Sequence, residues 1–236
     1  MSQKQYVNVA IDVWGDFAMF TRPESKVERM TYFIPTPSAC RGILDAIYSK
    51  PIEFYYEITQ IDIMKPIRVM SLRRNEVCEV AKVTVARRDV DYHIDSDLPK
   101  NRTQRMCSYL RDVYYRIHAR MVLRENAPSN VNLLSLSQQF ERRIRNGKCF
   151  YQPYFGNREC SCYFSKPDWN MKPIDLTECY GVMLYDVFDI TKNISINTAD
   201  KKHSGHTCNS FFNAVVENGI MKVPSFDSDE LLIRRC

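Results

Sequence analysis

Hydrophobic and polar positions change their period several times along the chain, and each change marks an element. Val7, Val9, Ile11 and Val13 alternate with other residues, so residues 5–13 read as a strand with one buried face. From Thr21 to Thr31 the chain turns polar. Pro23, with Arg22, Lys26 and Arg29, would sit poorly in a core, which predicts a loop or irregular hairpin. Thr36-Pro37-Ser38 supplies a helix start, a Thr N-cap followed by Pro in the first turn. Ala39, Ile43, Leu44, Ile47 and Tyr48 then recur at helical spacing up to Pro51. Gly42 lies inside this helix at a cost of ~1 kcal/mol relative to Ala. A glycine there signals that another backbone, of protein or nucleic acid, comes close.

Residues 52–64 are rich in Ile, Phe and Tyr and predict a strand. Pro66 interrupts, and a second strand-like piece, IRVMSLRR, follows. The stretch 79–101 is polar without a steady period and reads as an insertion or hairpin. The clearest strand is 113–123: Val113, Tyr115, Ile117, Ala119, Met121 and Leu123 face one way, and Tyr114, Arg116, His118 and Arg120 the other. Residues 131–146 give a second helix, with Leu133, Leu136, Phe140 and Ile144 on one stripe and Gly147 closing it. Residues 149–164 return to strand character. The order strand, helix, strand, strand, helix, strand is the split βαβ pattern of ferredoxin-like folds. An α+β chain is therefore expected, with a ferredoxin-like, RRM-like domain over 1–165. After Lys166-Pro167 the runs YGVMLYDVF, SFFNAVV and GIMKVP predict a small, mainly β domain over 166–236.

Composition narrows the class. Hydrophobic residues make up 44% and charged residues 26% of 236, ordinary for a globular protein. No run approaches the length of a membrane-spanning helix. The alternating N-terminus, with Asp12 and Asp16, is not a signal peptide, so a cytoplasmic protein without membrane association is expected. Nine scattered cysteines read as reduced thiols used as small hydrophobes, and the single Cys160-x-Cys162 pair is a weak metal signal. His203, His206 and Cys208 fall in a polar stretch that reads as an exposed loop. No metal or other cofactor is expected.

The net charge is a modest +5, but it is unevenly spread. Residues 101–148 hold ten Lys or Arg against three acids, leaving +7, more than the whole chain carries. Such a segment suits a phosphate-rich partner. On the 113–123 strand, Tyr114, Arg116, His118 and Arg120 in a row match what RNA binding needs. Guanidinium groups neutralise phosphate, and aromatic rings stack on bases.

Several segments then carry a resemblance: VWGDFAMFTRPESKVERMTYFIPTPSACRGILDAIYSKP at 13–51, KPI and RRNEV within 65–77, and NRTQR at 101–105, followed by GKCFYQPYFGNREC at 147–160 and FFNAVVENGI at 211–220. Together they resemble the type I-C CRISPR-associated Cas family-five proteins of subtype d (Dvulg), in order, from about residue 6 to residue 224. The resemblance implies a ferredoxin-like N-terminal domain of the RAMP superfamily and a smaller β C-terminal domain. It also implies binding of the precursor CRISPR RNA repeat hairpin and metal-independent cleavage at the 3′ base of its stem. The mature guide's 5′ tag is then retained within the type I-C surveillance complex, alongside that complex's other subunits. DNA is a further partner to consider.

In that chemistry the ribose 2′-OH attacks the neighbouring phosphate, leaving a 2′,3′-cyclic phosphate and a 5′-OH. The resemblance places a tyrosine at the end of the first helix, matched by Tyr48, and a Lys-His pair at the start of the second. At that place stand Ser135 and Leu136. Loss of a positioned acid–base group typically costs ~10²–10⁴ in rate. Two functions therefore stay open: an endoribonuclease acting through Tyr48, with His118 or Lys50 as stand-in, and a guide-binding subunit with little or no cleavage. The candidate RNA contacts are Arg22, Lys26, Arg29, Arg41, Lys50, Arg73, Arg74, Arg116 and Arg120.

Overall fold

The computed structural model describes residues 4–25, 27–78, 80–89, 91–94, 98–191 and 207–234. Its first strand, β1 (Tyr6–Ala18), shows the expected alternation and runs on beyond residue 13. Helix α1 (Pro37–Ile47) starts where the local signals put it: Thr36 is extended, and its hydroxyl accepts from Ala39 N at 3.2 Å. Between them Thr21 and Thr31 are bridged and Arg22 N donates to Met30 O at 2.9 Å, as expected of a loop or irregular hairpin.

Strand β2 (Phe54–Ile63) is followed by β3 (Val69–Val77) and the long β4 (Arg102–Leu123). The first half of β4 pairs β3 from Val69↔Leu110 to Val77↔Arg102, forming an arm. Its tip carries one helical turn, α2 (Val83–Ala86), and a short 3-10 turn at Pro99–Asn101. The second half of β4 lies between β1 and β2, antiparallel to both. Helix α3 (Leu133–Arg145) is capped by Asn132, whose side-chain oxygen accepts from Leu134 N at 2.9 Å. Leu136, Phe140 and Ile144 are its buried stripe, and Gly147 (φ +61°) ends it.

Strands β5 (Tyr163–Ser165), β6 (Glu178–Phe188), β7 (Thr207–Glu217), β8 (Ile220–Lys222) and β9 (Leu232–Arg234) complete the chain. The described residues make one nine-stranded sheet of order β5-β1-β4-β2-β8-β7-β6, with β3 added to β4 and β9 to β7. Because β8 pairs β2, from Gln60↔Lys222 to Asp62↔Ile220, the sheet continues across residue 165 into the C-terminal strands.

Helices α1 and α3 pack on one face of the β5-β1-β4-β2 part. Ile11, Val13, Tyr115, Ile117, Ala119 and Met121 point to that face and are buried. Burial of such side chains, worth roughly 1.5–3 kcal/mol each, holds the helices down. Cys40, Cys160 and Cys162 belong to the same core, and burial pushes the Cys160 thiol up to about 11. No helix among the described residues is long and apolar enough to cross a membrane.

Two expectations are corrected. The strand expected over 149–164 is mostly an irregular loop: Tyr154 and Ser161 form one isolated antiparallel bridge, and Tyr163–Ser165 is a strand paired with β1. The loop folds on itself through Phe155 N to Cys160 O (2.8 Å) and Cys162 N to Pro153 O (3.0 Å), with Gly156 at φ +79°. The outer face of β4 is also not an open basic surface. It is polar and partly self-neutralised, because Asp12 and Glu57 come alongside Arg116 and Arg120 while Asp62 bonds His118.

Candidate nucleic-acid interface

Tyr48 follows the last turn of α1 and caps it, its N–H donating to Leu44 O at 2.9 Å. Its side chain is turned inward against Phe54 and is 1% exposed. The hydroxyl donates to the side-chain oxygen of Gln139 on α3, and Tyr56 Oη donates to the Tyr48 carbonyl at 2.8 Å. The Arg143 guanidinium lies 5.3 Å from the centre of the Tyr48 ring and 4.2 Å from that of Phe150, and donates to Ile47 O at 3.1 Å. Burial raises the Tyr48 pKa, against the lowering effect of Lys50, Arg143 and Arg142. The phenol is therefore neutral near pH 7 and is a hydrogen-bond donor there, not a standing base.

The charged groups acting on this hydroxyl are Lys50, Glu53, Arg143 and Arg142. Arg142, Arg145 and Lys148 are exposed around the C-terminal end of α3 and have no ion pair among the described residues. The negative end of the α3 dipole favours cations there. Lys50, expected as an RNA contact or stand-in acid, is held by Glu53 at 2.8 and 3.1 Å. Ser135 is exposed and Leu136 is buried in the core, so neither brings a charge to Tyr48.

His118 is placed elsewhere. Tyr56 packs on Phe140 on the helix side of the sheet, opposite Met121 in the register, while His118 alternates to the far side. There its Nε2 is 3.0 Å from Asp62 Oδ2, and its ring is 6.0 Å from Trp169. Tyr48 and His118 thus lie on opposite faces of the sheet and do not form one site. Arg116, on the same far face, is 3% exposed. It makes bonds of 2.7 and 3.1 Å to Asp12 and one of 2.6 Å to Asp168 O, with Trp169 over it. Its expected role as an open RNA contact does not fit this burial. Arg120 lies 4.8 Å from the Tyr6 ring and 3.9 Å from Glu57.

The other expected contacts are scattered. Arg22 stacks 5.0 Å from the Tyr32 ring, and Arg29 pairs with Glu76 at 2.8 Å. Arg41 is tied to the buried Asp186 by bonds of 2.8 and 3.1 Å and to Asp45. Arg74 bonds Tyr109 Oη at 2.7 Å and Glu159, whereas Arg73 is exposed and forms no ion pair among the described residues. Lys26 lies outside the described residues, as do His203 and His206. Gly42, expected to meet another backbone, faces open space: a Cβ there would touch nothing within 4 Å. It lines a groove of about 340 Å³ between α1, residues 19–21, Tyr154, Gly156 and Leu184 of β6.

Comparison with known proteins decides the family. A family model described as CRISPR-associated protein (Cas_Cas5) matches residues 9–224. A protein of Mannheimia succiniciproducens named CRISPR pre-crRNA endoribonuclease Cas5d is 37% identical over 94% of this chain and 97% of its own length. The chain belongs to the Cas5d family. A second relative of the same name, from Thermus thermophilus, is 36% identical over 94% of this chain and 93% of its own. Among solved structures, a CRISPR-associated protein superposes with a TM-score of 0.69 at 20% identity, covering 98% of this chain and all of that one. A functionally uncharacterized protein of Streptococcus mutans gives 0.63 at 22% identity over 96% and 97%. At those identities the likeness is one of fold.

Against that family background the residues missed by sequence reasoning are clear. Gln139, Arg143, Phe150 and Tyr151 converge at the α1–α3 junction with Tyr48. The signal available for them was the cluster of cations at the end of the second helix, followed directly by two aromatics.

Proposed function

We propose that this chain binds precursor CRISPR RNA and cleaves it within the repeat, keeping the 5′ tag of the guide as a subunit of a surveillance complex. The observation that carries the reading is the α1–α3 junction: an oriented tyrosine hydroxyl beside Arg142 and Arg143, which form no ion pair among the described residues, in a chain aligned almost end to end with relatives named as pre-crRNA endoribonucleases. The ferredoxin-like reading is supported by the order β5-β1-β4-β2, all antiparallel, with α1 and α3 crossing on one face. On this reading the C-terminal β portion extends that sheet.

The reaction is transesterification at the 3′ base of the stem. The 2′-oxygen bonds to phosphorus and loses its proton, and the bond from phosphorus to the 5′-oxygen breaks. That oxygen takes up a proton, leaving a 2′,3′-cyclic phosphate and a 5′-OH. Arg143, partly open to solvent, suits the charge that builds on the phosphorane oxygens. Neutral Tyr48 is oriented by Gln139, and its single hydroxyl proton becomes a donor to the RNA when the bond to Gln139 is exchanged. RNA and the other subunits of a cytoplasmic complex are the partners, and DNA stays a candidate ligand.

A second reading, a guide-holding subunit with little cleavage, is favoured by one observation: Tyr48 is 1% exposed and its hydroxyl is already engaged, with Ser135 and Leu136 offering no acid or base. Incubating the protein with its cognate repeat RNA in EDTA, with product ends mapped, tests both. One cut bearing a cyclic-phosphate end supports the metal-independent nuclease; tight binding without a cut supports the second reading; cleavage restored only by a divalent metal refutes the mechanism proposed.

A further inference from the structure

Beside α3 two aromatic rings are held out in water. Phe150 is 50% and Tyr151 73% exposed. Their backbone is nevertheless pinned, because both N–H groups donate to Ala46 O in the last turn of α1, at 2.8 and 3.2 Å. Arg143 lies against the Phe150 ring, and the two rings stand 6.4 Å apart at 44°. Large rings on a fixed backbone, left unburied, are a surface prepared for a flat partner at little entropic cost.

Charge selects that partner. Residues 133–151 contain Arg142, Arg143, Arg145 and Lys148 against the single acid Glu141. Lys148 is folded back onto the helix end through its N–H to Arg143 O at 2.9 Å, two residues before Phe150 in the chain. Aromatic faces flanked by unpaired cations fit single-stranded nucleic acid, whose bases stack while its phosphates are neutralised. We infer that Phe150 and Tyr151 form a stacking step for one unpaired nucleobase of the bound repeat RNA, with neighbouring phosphates on Arg142, Arg145 and Lys148. This rests on the RNA-binding function proposed above and adds to it a specific subsite on the helix side of the sheet.

The test is a pairwise cycle read by fluorescence anisotropy with the cognate repeat RNA. Tyr151→Ser is expected to weaken binding of the intact RNA about tenfold, within the range for loss of one stacked base, while Tyr151→Phe binds as the parent does. A scan of single abasic substitutions through the unpaired nucleotides should find one position where the abasic RNA already shows that loss and Tyr151→Ser costs nothing more. Lys148→Gln should instead reduce the salt slope by about 0.7 for the phosphate contact removed. The Tyr151 hydroxyl forms no hydrogen bond among the described residues, so the variant should keep its thermal midpoint, which is checked alongside. No loss with Tyr151→Ser, or a loss that adds to the abasic loss at every position, overturns the stacking step. Failure of the parent protein to bind the repeat RNA at all would instead overturn the proposed function.

Discussion

The Tyr48 hydroxyl, just beyond the end of α1, donates to Gln139 on α3, one helical turn after Ser135. This bond ties the tyrosine proposed for the chemistry to the helix that carries Arg142, Arg143 and Arg145. It also gives the hydroxyl a structural duty, so rate and stability must be measured together.

Tyr48→Phe removes only the hydroxyl. Under the nuclease reading, single-turnover cleavage should fall by ~10²–10⁴ while RNA affinity stays within a few-fold, since the change removes one hydroxyl from a ring that is otherwise packed in the core. Gln139→Leu leaves the Tyr48 hydroxyl without its acceptor and should cost about 1–3 kcal/mol in urea unfolding. Equal losses of affinity and rate in Tyr48→Phe would make Tyr48 a contact residue and end its assignment to the reaction.

Arg116 and Asp12 are predicted to act on stability alone. Asp12 is fully buried and also accepts from Tyr114 Oη at 3.0 Å and Asp168 N at 2.9 Å. Removing one partner of a buried ion pair strands the other, so Arg116→Met should destabilise by about 3–5 kcal/mol. Combining it with Asp12→Asn should recover part of that loss. RNA affinity, measured at a temperature where the variant stays folded, should be unchanged. A steep fall in affinity without a fall in thermal midpoint would return Arg116 to the RNA surface.

The Arg74–Tyr109–Glu159 cluster predicts a pH dependence. Burial tends to raise the Glu159 pKa, but the bonds from Tyr109 (2.8 Å) and Arg74 outweigh it, and the carboxyl is held below its ordinary value. A lowered folded pKa means that this contribution to stability is present above the unfolded value and is lost as pH falls through the folded one. The thermal midpoint of Glu159→Gln should therefore lie below the parent's at pH 7. The gap should close as pH drops below the ordinary glutamate range. Both side chains are more than a third exposed, so the gap is small. An unchanging gap from pH 7 to pH 3 would refute the pairing.

Where signals are local, the sequence was a good guide to the fold. Thr36, Pro37 and the apolar spacing of α1 lie within a few residues of one another, and Asn132 and Gly147 bracket α3 in the same way. The far face of β4 shows why the rest was hidden. Alternation along a strand tells which residues share a face, not what lies across from them. The carboxylates that bond Arg116 and His118 are 104 and 56 residues away in the chain. The loop 149–164 has the aromatic content of a strand, but Pro153 and the positive φ of Gly156 break its pairing. The α3 patch was visible as charge, yet its aromatic half was hidden inside that expected strand.

Two glycines should respond in opposite directions. Gly42 is exposed within α1, and a Cβ there would meet nothing within 4 Å. Gly42→Ala should stabilise the protein by about 1 kcal/mol through helix propensity. At Gly156 the same methyl group would sit 2.0 Å from Met19 O on a backbone with φ +79°. To admit it, the loop must move away from β1 and give up the bond from Met19 N to Phe155 O. Strain of about 1–3 kcal/mol is then added to the lost contacts, and the thermal midpoint of Gly156→Ala should fall well below the parent's. The loop holding Gly156 leads from the Phe150–Tyr151 rings back to β5, so its displacement should also disturb RNA binding, whereas Gly42→Ala tests whether the groove beside α1 is part of the RNA path. An unchanged affinity in Gly42→Ala would place the RNA away from that groove, on the α3 side of Tyr48.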